Sequence, residues 1–136
     1  SANDDLGTFT LRFKVKAMGD TIYTSSLAGT SGSASNLFVV DRSGTTTTGG
    51  VSGTLTMVNI GSSSEDDLTS AGNYTIEDGE ERTFELVATA QLPTAGSAGQ
   101  YKTALSTIKW NTDGTTTYQS YTQNLDSYKT SYIGLN

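Results

Sequence analysis

The sequence predicts an all-β fold, an antiparallel sandwich or barrel of about seven to nine short strands, and three observations lead there. Apolar residues recur at every second position in the clearest segments. Helical spacing is nowhere sustained, and a chain in which 56 of 136 residues are Thr, Ser or Gly disfavours it. Segments of small and polar residues separate the candidate strands with no helix between them, which points away from parallel pairing. At 136 residues, one domain spanning 1–136 is the default, since two would leave each half with a thin core.

The first strand runs Thr8 to Ala17, where Phe9, Leu11, Phe13, Val15 and Ala17 alternate with Thr8, Thr10, Arg12, Lys14 and Lys16. Weaker strands read at Leu37 to Asp41, Val51 to Ile60 and Tyr101 to Trp110. In the last two the apolar phase slips by one residue, and a bulge in each would restore a single buried face. Tyr74 and Ile76 precede Asp78-Gly79, and a strong alternation follows from Arg82 to Ala90, with Phe84, Leu86, Ala88 and Ala90 on one face. Asp-Gly between two such runs predicts a hairpin, because Gly accepts the positive φ of a tight turn. The stretch Thr115 to Leu135, with Tyr118, Tyr121, Tyr128 and Tyr132, supplies one or two more strands. Between them, Ser25 to Ser35, Ser43 to Gly50, Gly61 to Gly72 and Thr94 to Gly99 read as loops. The polar segment 1–7 is a candidate interacting arm.

Composition narrows the chemistry. With no His and no Cys, the chain cannot build Cys/His zinc sites, Ser-His-Asp or Cys-His triads, or a disulfide framework. Oxygen ligands remain, which leaves calcium or magnesium if any metal; no cofactor is expected, with calcium the candidate. Eight Lys and Arg against 14 Asp and Glu, a net charge of -6, leave no basic stripe, and nucleic acid is not expected as a partner. The same sign argues against adsorption to anionic lipid. No run approaches the ~18 apolar residues of a membrane span, and no basic-then-apolar leader opens the sequence, so no membrane insertion by this chain is expected. Only 26 residues are Leu, Ile, Val or Phe, a share found in disordered chains, but the charge is too modest to complete that signature.

Asp78-Gly79-Glu80-Glu81-Arg82-Thr83-Phe84-Glu85-Leu86, then Leu92-Pro93, then Gly99-Gln100-Tyr101 resembles the middle of an immunoglobulin-like or fibronectin-like sandwich. The likeness is best over residues 73–110, and the Thr/Ser/Gly-rich texture is similar to sandwich domains of bacterial cell-surface and extracellular proteins. It implies that Tyr101 is a corner tyrosine, its ring in the core and its hydroxyl bonded to backbone upstream. The cysteine pair of antibody domains is missing, so their recognition functions do not carry over.

Several constellations carry candidate chemistry. Glu65, Asp66 and Asp67 in one loop suit calcium, with Asn3-Asp4-Asp5 as a second contributor; a solvated loop without DxDxDG spacing is the competing reading. Trp110, Tyr118 and Tyr121 are a candidate aromatic platform for a sugar ring, against the reading that Trp110 fills the core. Lys14 and Lys16 invite comparison with the lysine to asparagine cross-links of surface sandwich domains, but their phase points both outward, where no buried acid can assist. Paired carboxylates for glycosidase work would come from Asp41, Asp78, Glu80 or Glu85, whose separation is unreadable in sequence. Asn73-Tyr74-Thr75 is the single N-x-[ST] sequon.

The expected role is that of a non-enzymatic extracellular structural protein, a filament subunit or a cell-surface module. It would associate with its own kind or with neighbouring surface-protein domains through strand edges or a terminal arm. Phe9 and Leu11 are then candidates to fill a neighbour's groove. The alternatives are a carbohydrate-binding module using Trp110 and the nearby tyrosines, with glycans as partners, and an inactive spacer in a longer enzyme or adhesin.

Overall fold

The computed structural model describes residues 6–28, 37–42, 45–47, 51–58, 68–91, 99–123, 125 and 128–135. These form eleven strands and no helix: β1 (Leu6–Lys16), β2 (Ile22–Ser25), β3 (Phe38–Arg42), β4 (Thr45–Thr47), β5 (Val51–Met57), β6 (Asn73–Ile76), β7 (Glu81–Gln91), β8 (Gly99–Leu105), β9 (Ile108–Asn111), β10 (Gln119–Tyr121) and β11 (Ile133–Leu135). They pair into three antiparallel sheets, ordered β1-β7-β5, β10-β9-β2-β6 and β11-β8-β3-β4.

The two strongest alternations found each other. β1 and β7 pair without interruption from Leu6↔Gln91 to Lys16↔Glu81, which sets Phe9, Leu11 and Phe13 beside Ala88, Leu86 and Phe84 on one buried face. Each of the Phe and Leu side chains contributes about 1.5–3 kcal/mol on burial. Phe13 and Phe84 are direct cross-strand partners with stacked rings 5.5 Å apart, and Tyr74 meets the same Phe84 edge-on at 5.6 Å. Phe38 and Val40 of β3, Leu55 and Met57 of β5, Ile76 of β6 and Tyr101 and Leu105 of β8 complete one core fed by all three sheets. The opposite face of β1 carries Arg12 and Lys14 to solvent, where Arg12 pairs with Glu85 at 2.9 Å.

Two expectations are corrected, each because the chain passes to a different partner strand. The Asp78-Gly79 turn exists, with Glu80 N–H donating to Glu77 C=O and φ +85° at Gly79. It does not join a hairpin, since β6 pairs with β2 while β7 pairs with β1 and β5. Instead the β1–β2 and β6–β7 legs bend together from one sheet into the next. Ala17 N–H donates to Glu80 C=O, Gly79 N–H to Ala17 C=O, and Gly19 N–H to the Asp78 carboxylate at 2.8 Å, zipping the two bends.

The phase slip in Tyr101 to Trp110 is likewise a change of sheet and not a bulge. β8 buries Tyr101, Thr103 and Leu105 against β3, the chain turns at Ser106-Thr107, and β9 restarts beside β2. Ser106 N–H donates to Leu37 C=O at the corner. In β5 the register with β7 is regular from Val51 to Met57, with Val51, Leu55 and Met57 buried, so no bulge falls within that strand. Asn59 and Ile60 lie outside the described residues.

Candidate functional site

Where the β1–β2 and β8–β9 legs pass from sheet to sheet lies an apolar cavity of about 410 Å³. Phe13 and Val15 of β1 and Leu105 of β8 line it together with Ile22, Ile108 and Trp110, which share one face of the paired strands β2 and β9; Tyr121, Leu125 and Tyr128 complete the lining. The β9–β10 register explains which aromatic residues take part. Tyr121 lies opposite Ile108 and Trp110 opposite Gln119, so Ile108, Trp110 and Tyr121 share one face. Leu125 is buried and Trp110 half-buried, whereas Tyr121 and Tyr128 are exposed. Lys14, Lys16 and Gln123 supply the polar rim. The cavity is thus a greasy slot with an aromatic lip, suited to an apolar or ring-shaped ligand, and among the described residues that line it there is no Asp or Glu.

Trp110 and Tyr121 therefore come together, but Tyr118 does not join them. Its hydroxyl donates to Asn73 Oδ1. Asn73 is fully buried, and its Nδ2 donates to Gly114 C=O at 3.2 Å and Thr115 C=O at 3.0 Å. Asn111 repeats the device: its Nδ2 donates to Thr115 C=O and Thr117 C=O, and its Oδ1 accepts from Gly114 N–H at 3.0 Å. Asp113 accepts from the Thr115 N–H and hydroxyl, and these two bonds hold its carboxyl below the usual aspartate range. Two buried amides and one tyrosine thus pin the 112–118 loop. Nothing in the sequence distinguished Asn73 from an exposed sequon, because its carbonyl partners lie some forty residues away.

Tyr101 has its ring in the core, only 1% exposed. Burial raises its phenol above the ordinary value, and the nearby Arg42 guanidinium works against that shift. The Tyr74 hydroxyl donates to Leu55 C=O at 2.8 Å. Phe9 and Leu11 lie in this chain's own core, 3% and 8% exposed, and are not free to fill a neighbour's groove while β1 stays on β7. Glu65, Asp66 and Asp67, like Asn3-Asp4-Asp5, lie outside the described residues. Among the described residues no group of three or more Asp and Glu is gathered to hold a metal ion.

The carboxylates considered for acid–base work are engaged elsewhere. Glu85 pairs with Arg12, Glu80 with Arg82, and Asp78 accepts from Gly19 N–H. Neither they nor Asp41 line the cavity. No protein-family model, no curated protein and no solved structure matches the chain.

Proposed function

We propose that the chain is a non-enzymatic structural module of the cell surface or extracellular space, built on an immunoglobulin-like sandwich and assembling through strand edges. The strand order supports the sandwich reading. Taken in chain order as strands B, C, C′, D, E, F and G, the elements β1, β3, β4, β5, β7, β8 and β11 reproduce the B-E-D and G-F-C-C′ ladders of that arrangement. The sheet β10-β9-β2-β6 is then an addition at one end.

The observation that carries the assembly reading is β1 itself. It is an eleven-residue strand at the edge of its sheet, and among the described residues no strand pairs with its outer side. In the immunoglobulin arrangement strand A occupies that side. A long open edge is a template for another strand. Light scattering and electron microscopy of the purified chain over a concentration series test this: association into dimers or filaments is expected, and a chain that scatters as a monomer throughout overturns it.

Glycan binding is a second reading, favoured by the meeting of Trp110 and Tyr121 in one slot. Trp110 is the single tryptophan, so its fluorescence reports the slot directly. A saturable change on adding polysaccharides that Tyr121→Ala abolishes is the expected result, and an unchanged spectrum across a broad glycan panel removes this reading.

A further inference from the structure

Deepening the assembly reading on which it rests, we infer that the outer edge of β1 pairs antiparallel with the same edge of a second copy, Leu11 of each lying on the two-fold axis. The direction of the backbone groups comes from the hydrogen bonds at the end of the strand. Ala17 bonds to Glu80 and Gly79, on the β7 side. Groups alternate along an antiparallel ladder, so Phe9, Leu11, Phe13 and Val15 also turn N–H and C=O toward β7. Leu6, Thr8, Thr10, Arg12, Lys14 and Lys16 turn theirs outward, and no described residue bonds them.

The other edge of this sheet is treated differently. Val58 N–H donates to Thr83 C=O, which by the same alternation turns Leu55 C=O outward from β5, and there the Tyr74 hydroxyl occupies it. One edge is capped at its centre by a side chain, whereas along the other no described residue bonds the outward groups. The cavity lies against Phe13 to Lys16, and no described strand is hydrogen-bonded to the outer side of β1 there.

Side chains choose the occupant and its direction. The outward face of β1 is neutral in its first half, Leu6, Thr8 and Thr10, and cationic in its second, Arg12, Lys14 and Lys16. Parallel pairing of two copies in register would set three pairs of like charges side by side, which is destabilising. Antiparallel pairing about Leu11 sets Arg12 opposite Thr10, Lys14 opposite Thr8 and Lys16 opposite Leu6, with no like charges directly opposed and all eleven residues overlapped. A slip of the dyad to Arg12 would oppose two guanidinium groups. The strand is complementary to its own reverse, and the product is one continuous six-stranded sheet, β5-β7-β1-β1-β7-β5.

The test is amide hydrogen exchange on the intact chain, from low micromolar to millimolar concentration, beside sedimentation velocity. The amides of Thr8, Thr10, Arg12 and Lys14 are expected to slow at least tenfold as the dimer forms, while those of Phe9, Leu11 and Phe13 are protected at every concentration. Thr10→Pro removes an outward N–H on an edge strand, a setting in which a strand tolerates proline; it is expected to stay folded and to lose the dimer. Association that leaves the four outward amides exchanging freely, or that persists in a folded Thr10→Pro chain, overturns the pairing while the assembly reading stands. If that variant fails to fold, the exchange pattern of the unmodified chain decides alone. A chain monomeric at millimolar concentration overturns both readings and leaves the edge to a strand of another protein.

Discussion

Gly53 lies so close to the ring of Phe38 that a methyl group added to its Cα would stand 2.5 Å from Cε1 and 2.8 Å from Cζ. β5 and β3 belong to different sheets, so this glycine sets how near one layer comes to the other. The ring itself is fully buried and has nowhere to retreat. Gly53→Ala is expected to destabilise the fold by about 1–3 kcal/mol through overpacking, seen as a lower midpoint in urea at unchanged slope. An unchanged midpoint would mean that the two layers separate freely.

Asn73 is expected to behave as a structural residue and not as a glycan acceptor. Asn73→Ala strands the Tyr118 hydroxyl and Gly114 C=O, while Thr115 C=O keeps its bond from Asn111. Leaving buried polar groups unpaired costs about 1–3 kcal/mol, and a melting curve checks it. Intact mass of the folded chain after treatment with an oligosaccharide transferase is expected to stay that of the bare polypeptide, because Nδ2 is enclosed.

Tyr74→Phe keeps the ring against Phe84 and removes only the hydroxyl that satisfies Leu55 C=O. A loss of about 0.5–1.5 kcal/mol follows from one hydrogen bond. The same change uncaps the β5 edge. Chemical denaturation measures the first effect, and faster association at high concentration would report the second.

Tyr101 sets an alkaline limit on stability. Its folded phenol ionises above the ordinary pH of 10.0, burial being the larger cause and Arg42 the opposing one. The unfolded chain gives up this proton first, so the contribution is whole below pH 10.0 and is lost as the pH rises through the folded value. Tyr101→Phe keeps the packing without the titration. Above pH 10 the native chain is expected to lose stability more steeply than this variant, and parallel curves would refute the assignment.

Much of the fold was legible because period-two patterning is local: Thr8 to Ala17 and Arg82 to Ala90 announced β1 and β7 almost to the residue. The slip between Leu105 and Ile108 was legible too, but its cause was not. A bulge and a change of sheet shift the apolar phase alike, and only the partners of β8 and β9 tell them apart. The same holds for Asp78-Gly79, whose turn geometry is local while the strands it serves are not. For the site, Trp110 and Tyr121 were within reach of inspection, whereas separating Tyr118 from them required knowing that Asn73 lies beside the 112–118 loop.

Alternation, charge balance and the missing histidine and cysteine were properties of the chain alone, and they determined an all-β architecture and the chemistry it lacks. Tertiary structure decided which strands meet, which amides are enclosed and which edge no described strand pairs with. The reason is physical: side-chain period is written in neighbouring residues, but hydrogen-bond partners across sheets are chosen by residues dozens of positions apart. The outward-facing groups of β1 are one outcome of that distant choice.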